Sequence, residues 1–496
     1  MGSEHDRRGR IPDHGNAGRA APGRGPAPPL ALRGIPGPTA RRPSSQPALG
    51  ARQWRVAHIC GTSLSCNMRL VPVVSVIVIG VCVAASCSDD DSGAVTPPPV
   101  DTTTVRPTGS GARCEAGKAR DFPCSHIDLV SRLRKDQIAA EEGLVNDIWG
   151  WKDGVTRTEW ALVGHSGGTS FVNLRDPELP VYTGILPLTA GATKSIWRDI
   201  KVYRDHAFIV ADGAGAHGMQ VFDLTDLRSV SEPPVTFTAT ATYDRIHSAH
   251  NIVINEETGF AYSVGGNGGG DTCGGGLHMI DIRVPNDPQF AGCFADTTTG
   301  YQGTGYTHDA MCIVYRGPDT EHRGREVCFG SNETGLSIAD VTDKEEPFAL
   351  ATVSYPGVGY SHQGWIDDAH EYFYMNDEFD EFASQGATRT LVWDVQDLDD
   401  PILVKEFLSE TQATDHNLYI VGDLMYQSNY RVGLRILDIS DRESPREIAF
   451  FDTEPNGGDV AGTTGSWSNY PFFASGLIAV TSMDEGVLFV RRTGGN

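Results

Sequence analysis

The chain has 496 residues and a formal net charge of −24, with 64 acidic residues against 40 Lys and Arg. That balance argues against a nucleic-acid partner, because phosphate binding needs clustered basic charge. The length would fit two or three average domains, but a single repeat architecture accounts for it equally well.

Residues 1–67 hold ten Arg, no Lys and three acids among many Gly, Pro and Ala, with no apolar period. This composition predicts disorder. Met68-Arg69 then begins a secretory signal, with Leu70–Ala85 as its apolar region and small residues up to Cys87. The apolar run is shorter than the ~20 residues that span a bilayer as a helix. Ala84-Ala85-Ser86-Cys87 resembles a bacterial lipobox, with Ala84 where Leu is usual. Cys87 is therefore the expected lipidation site, Met68 the expected start, and residues 1–67 an over-extended beginning. Residues 88–113 are rich in Asp, Thr and Pro and read as a tether between a membrane anchor and a folded domain. Residues 1–67 carry a surplus of seven positive charges, which leaves −31 for the remainder.

Setting aside Cys60, Cys66, Cys82 and Cys87 leaves six of the ten cysteines: Cys114, Cys124, Cys273, Cys293, Cys312 and Cys328. An even number in an exported chain points to disulfides. Of the fifteen possible connectivities the sequence-local one is favoured, because Cys312 and Cys328 fall in two strands of one expected hairpin.

From about residue 144 a polar pair followed by a short apolar strand recurs seven times. Its second members are Asp147, Asp199, Asn251, Asp309, Gln363, Asn417 and Asn469, spaced 52, 52, 58, 54, 54 and 52 apart. Each copy continues with a β-rich strand (His206–Ala211, Phe260–Val264), a polar or Gly-rich loop, and a third strand ending near Asp (Asp223, Asp281, Asp340, Asp394, Asp438). A Pro often precedes the fourth strand. Four short strands per repeat with no amphipathic helix predict an all-β, seven-bladed β-propeller over residues 114–496, with an open solenoid as the alternative. The last copy stops after Gly486–Val490, its third strand, and an orphan strand candidate, Ile127–Leu133, lies upstream of the first copy. Pairing the two would close the ring and remove an exposed edge.

The third-strand signature resembles the LVIVD repeat. Together with Cys124-Ser125-His126-Ile127-Asp128-Leu129, Gly164-His165-Ser166-Gly167-Gly168-Thr169, Ala249-His250-Asn251 and Thr307-His308-Asp309, it makes residues 114–493 similar to the choice-of-anchor B family. The resemblance implies a surface-attached propeller and names no reaction.

In such blades the loop leading into the innermost strand and the loop joining strands two and three share one face. Four consecutive copies place His there: His250, His308, His362 and His416. The two-three loops add His165, Asp212, His217, Asn332, Glu333, Asp377, Glu378, Asn429, Asp484 and Glu485. Imidazoles in this number suit one transition-metal ion, Cu or Zn. The same residues would also serve to cap strands and line a wet channel. His247 is a reserve ligand, and His370 falls on the opposite face. Gly265–Gly276 lacks the strand-to-helix context of a phosphate loop and reads as a flexible loop pinned by Cys273. The third-strand Asp residues are expected to organise turns. Three functions are compatible with this reading: a module on the cell surface or in the periplasm binding a protein, glycan or small ligand; a His-ligated metal enzyme; and a structural scaffold held by disulfides and anchor.

Overall fold

The structure, a computed structural model, describes residues 111–384 and 386–494. The expected disordered segment, the signal, Cys87 and most of the tether lie outside them. Among the described residues no helix is long and apolar enough to cross a membrane.

Seven antiparallel sheets form the blades of a β-propeller. Blades 1 to 6 occupy residues 145–187, 198–243, 251–294, 309–353, 361–408 and 417–451, and blade 7 spans 466–492. Blade 7 is completed by Ile127–Leu133, which pairs antiparallel with Gly486–Arg492 from Ile127 opposite Arg492 to Leu133 opposite Val487. Each first strand packs on that of the next blade, and Ser466–Tyr470 packs on Val145–Lys152, so the ring is closed. Two further additions cover blade edges. Phe122–Ser125 joins the outer strand of blade 6, and Val235–Thr236 runs parallel to the outer strand of blade 1.

The core lies between blades, and this explains the near-continuous apolar runs of the middle strands. In Glu159–His165, Trp160 and Leu162 face blade 2 beside Phe171, Ile209 and Phe222. Ala161 and Val163 face blade 7 beside Ala479, Val487 and Phe489. Alternation places successive side chains on opposite faces, and both faces are buried, so a period of two in direction gives no period in hydropathy.

The third-strand acids act as expected. Asp223, Asp281, Asp340, Asp394 and Asp438 each accept a hydrogen bond from the backbone N–H two residues on, at 2.9–3.0 Å. Asn173 does the same in blade 1. The disulfides are Cys114–Cys124, Cys273–Cys293 and Cys312–Cys328, the sequence-local set. Cys312 and Cys328 are directly opposed across their hairpin. The Gly-rich segment is more ordered than its composition suggests: Asn267–Gly270 pairs with Ile246–Ser248, and Cys273–Gly275 forms a 3-10 turn. Positive φ at Gly268, Gly269 and Gly270 is what this tight path requires.

Candidate functional site

The second members of the repeated polar pair stitch the innermost strands together. Asp147 Oδ2 accepts from the Ile200 N–H at 3.0 Å, and Asp199 Oδ2 from the Ile252 N–H at 2.7 Å. Gln363 donates to the Leu418 carbonyl and accepts from the Leu418 N–H. These residues are therefore structural, and the histidine before them is left to point at the channel.

The four histidines form an arc around the channel mouth. Ring centroids lie 4.3 Å apart for His250 and His308, 4.1 Å for His308 and His362, and 4.5 Å for His362 and His416. Each Nδ1 has a partner in an adjoining loop. His308 Nδ1 donates to the His362 carbonyl (2.8 Å), His362 Nδ1 to the His416 carbonyl (3.1 Å), and His416 Nδ1 to the Trp467 carbonyl (2.6 Å). His250 Nδ1 pairs with Asp212 Oδ2 at 2.9 Å. A carbonyl on Nδ1 fixes the proton there and leaves the lone pair on Nε2, the arrangement found behind metal-bound imidazoles. In His308, His362 and His416 no described residue hydrogen-bonds to Nε2.

Glu378, from the two-three loop of blade 5, completes the group. Its Oε2 lies 3.8 Å from His362 Nε2, and its Oε1 accepts from the Tyr430 hydroxyl at 2.8 Å. One donor atom from each of His362, Glu378 and His416 lies within 4.8 Å of the other two. The sequence offers the four histidines as ligands of one ion or as a channel lining. The structure draws two of them together with a carboxylate, and sets His308 and His250 beside them along the arc. Burial suppresses charge on the imidazoles, holding His308 and His362 well below the ordinary histidine range and His416 down at about 3. Burial also pushes Glu378 up to about 7, against the opposing effects of the Tyr430 hydroxyl and His250. Neutral imidazoles and a carboxylate that is readily deprotonated are the forms a metal needs.

Above the arc a cavity of about 350 Å³ is lined by Trp197, His250, Tyr306, Tyr360, Phe379 and Trp467 among others. Within the channel, Arg198 and the four histidines line one narrow gap. Arg198 Nε and Nη1 are buried with no hydrogen-bond partner among the described residues, and burial lowers the guanidinium to about 9.

The other expected residues are placed differently. His165 is buried under the surface, its Nε2 on Ser170 Oγ (3.0 Å). His217 donates Nδ1–H to the Gly218 carbonyl. Burial, with Arg198 next in effect, lowers His165 to about 3 and His217 to about 4. Asp377 is fixed by the Tyr355 hydroxyl and the Gly359 N–H, and Glu333 by the Tyr301 N–H. Asn332 donates to Thr299 Oγ1, and the Asn429 backbone N–H to the Gly433 carbonyl; both hold loops. Asp484 and Glu485 turn away to pair with Lys135 and Arg132 of the N-terminal segment. His247 bonds the Gly268 carbonyl, and His370 packs on Tyr315. Two other close donor groups exist: Cys273–His278–Cys293, whose sulfurs are spent in a disulfide, and Asp319–His322–Asp399, where His322 clips onto Asp399 at 3.1 Å.

The opposite channel mouth holds the feature that sequence reasoning missed, a cavity of about 690 Å³ walled by Trp149, Trp365, Tyr419, Tyr470 and Phe472. At its floor Lys201 pairs with Asp199 (2.6 Å) and sits 4.5 Å over the Trp149 ring. Against desolvation, Asp199 and Asp147 hold the ammonium protonated. The signal was in the repeat: Trp149, Lys201, Met311, Trp365 and Tyr419 all stand two residues after the second member of their pair. That spacing returns a strand side chain to the same face.

No known sequence family matches the chain, and no curated protein matches it. Among solved structures, a protein from Lactobacillus plantarum shares 12% identity, covering 68% of this chain and 89% of that one at a TM-score of 0.45. A functionally unknown protein from Desulfotomaculum acetoxidans shares 12% identity over the same proportions at 0.43. Kuenenia stuttgartiensis hydrazine synthase shares 10%, covering 68% and 93%, at 0.46. At these values no function is carried across, and the fold assignment rests on the chain's own seven sheets.

Proposed function

We propose that this protein is an exported, lipid-anchored β-propeller that binds a small ligand at a single transition-metal ion, Zn or Cu, held by His362, Glu378 and His416. The observation that carries this reading is the group of three donors within 4.8 Å, two of them imidazoles whose Nδ1 protons are tied to backbone carbonyls. Three protein ligands leave one position of a tetrahedral ion for an exogenous donor. The cavity above the arc gives that donor room. His308 and His250 line the approach.

Three disulfides accord with folding in an oxidising, exported compartment. Attachment through Cys87 to a membrane, and the similarity to choice-of-anchor B proteins, belong to the same proposal. A metal-dependent enzyme is the second reading, favoured by the three-donor group: the position it leaves open would let the ion polarise a bound substrate or water.

The test uses the full-length chain, expressed without a histidine tag and stripped of metal, titrated with Co²⁺ as an optical stand-in for Zn²⁺. A visible d–d spectrum of a low-coordinate ion should saturate at one equivalent and vanish in His362→Ala and His416→Ala. An absent spectrum, or one unchanged in both variants, removes the proposal.

A further inference from the structure

The cavity at the channel mouth opposite the histidines is divided by chemistry. Blades 5, 6, 7 and 1 give it one aromatic wall, in which the Phe472 ring centroid lies 5.9 Å from Trp365, 6.0 Å from Tyr419, 5.3 Å from Tyr470 and 6.1 Å from Trp149. Blades 2, 3 and 4 face that wall with Lys201, Glu256, Asp309 and Met311. Trp149, Trp365, Tyr470 and Phe472 are only half-buried, so aromatic surface is left uncovered in the cavity. Its volume of about 690 Å³ falls within the ~300–1,000 Å³ of small-molecule sites.

The hydrogen-bonding groups on these walls are unspent. The indole N–H groups of Trp149 and Trp365 and the Tyr470 hydroxyl bond to no described residue, yet none of the three is sealed from solvent. Their neighbours are committed: the Trp151 N–H donates to Asp205 Oδ1 at 3.1 Å, and the Tyr419 hydroxyl pairs with Ser468 Oγ at 3.3 Å. The Lys201 ammonium, which can donate three hydrogen bonds, makes one, to Asp199 Oδ1. Asp309 uses Oδ1 for the Ala310 N–H and keeps Oδ2 open. Trp and Tyr with free polar tips suit a partner that is apolar on one side and polar on the other.

Charge narrows the choice. Lys152, Lys201 and Arg204 stand against Asp205, Glu256, Glu257 and Asp309, so neither sign prevails. An organic cation would find the Trp149 face taken by the Lys201 ammonium at 4.5 Å. An anion would meet Glu256 and Asp309. A pyranose matches both halves: it is neutral, its C–H bonds form an apolar face for an aromatic ring, and its oxygens accept from N–H and O–H donors around its edge.

We propose that this cavity binds a neutral carbohydrate, its C–H face on the aromatic wall and its oxygens on the indole, phenol and ammonium donors. The site uses none of the residues of the histidine arc and needs no metal.

The experiment applies the metal-stripped full-length chain to an array of immobilised neutral and acidic oligosaccharides. Each hit is then titrated as the free saccharide against tryptophan fluorescence, with tetraethylammonium as a cationic probe. Neutral saccharides should bind and change the emission, and the acidic ones and tetraethylammonium should not. Trp365→Ala should weaken binding at least about tenfold. Tyr470→Phe, which keeps the ring and removes the donor, should weaken it about two- to tenfold. If Trp365→Ala fails to fold, Trp365→Phe, which keeps a ring and loses the N–H, decides together with Tyr470→Phe. Adding Zn²⁺ should leave the affinity unchanged. The proposal is overturned if no neutral saccharide binds, if the acidic or cationic probes bind better, if the substitutions leave affinity unmoved, or if binding requires Zn²⁺. Metal uptake is measured separately, so failure here leaves the histidine site standing, and the reverse holds too.

Discussion

Removing residues 114–135 tests how the ring is closed. The strand lost, Ile127–Leu133, buries Ile127, Leu129, Val130 and Leu133 at 0%, 4%, 9% and 2% exposure against blades 6, 7 and 1. At about 1.5–3 kcal/mol for each fully buried side chain, those four contribute roughly 6–12 kcal/mol. A domain's whole stability is about 5–15 kcal/mol. The truncation also uncovers Gly486–Arg492, whose Val487, Leu488, Phe489 and Val490 would become an apolar edge strand. The truncated chain should therefore be insoluble, or melt without a cooperative transition in circular dichroism. A milder perturbation gives a number: Leu133→Ala should cost about 3 kcal/mol. With ~2.1 cal/mol/K of unfolding entropy per residue over about 380 residues, the melting point falls by about 4 °C. A truncated protein that stayed soluble and melted within 2 °C of the full chain would refute closure by this strand.

Metal uptake should follow Glu378 rather than the histidines. Its carboxyl is raised to about 7, whereas His416 is already neutral down to about 3, so protons compete for one ligand between pH 5 and 7. Affinity should fall about tenfold per pH unit below 7, and Glu378→Gln should flatten that slope; a slope near three would show both imidazoles titrating along with Glu378. His370→Ala, on the opposite face, should leave uptake unchanged, whereas His308→Ala should alter ligand access or affinity modestly, both read by calorimetry. Replacing Cys312 and Cys328 by Ala should cost about 2–4 kcal/mol in urea unfolding, and a change below the error of the measurement would show that the cross-strand bond constrains little.

The architecture was legible because it repeats. A polar pair every 52 to 58 residues, seven times, fixes blade number, and the missing fourth strand of the last copy points to Ile127–Leu133. The turn-forming role of Asp223 and its counterparts follows from side-chain chemistry alone. The candidate site was legible only in part. The four histidines occupy equivalent positions, so their shared face could be read, but selecting His362 and His416 and adding Glu378 depends on loop conformations that differ between blades. Asp484 and Glu485 held the equivalent loop position in blade 7 yet are captured by Lys135 and Arg132, because the closing strand brings its own cations. The aromatic cavity escaped notice because Trp149, Trp365 and Tyr419 look like core residues until the inner strand is known to face a channel. The buried carboxylate of Asp415 carries no sequence signal, since burial is what distinguishes it from the many surface acids.

The proposed site holds one transition-metal ion at His362, Glu378 and His416. Its most direct test is calorimetric Zn²⁺ titration of the stripped, untagged full-length protein at pH 8, with bound metal counted by elemental analysis. One equivalent should bind to the wild type, and the affinity should fall at least a hundredfold in His362→Ala, His416→Ala and Glu378→Gln. A wild type that takes up no stoichiometric Zn²⁺ or Cu²⁺, or binds it equally well after these three substitutions, would contradict it.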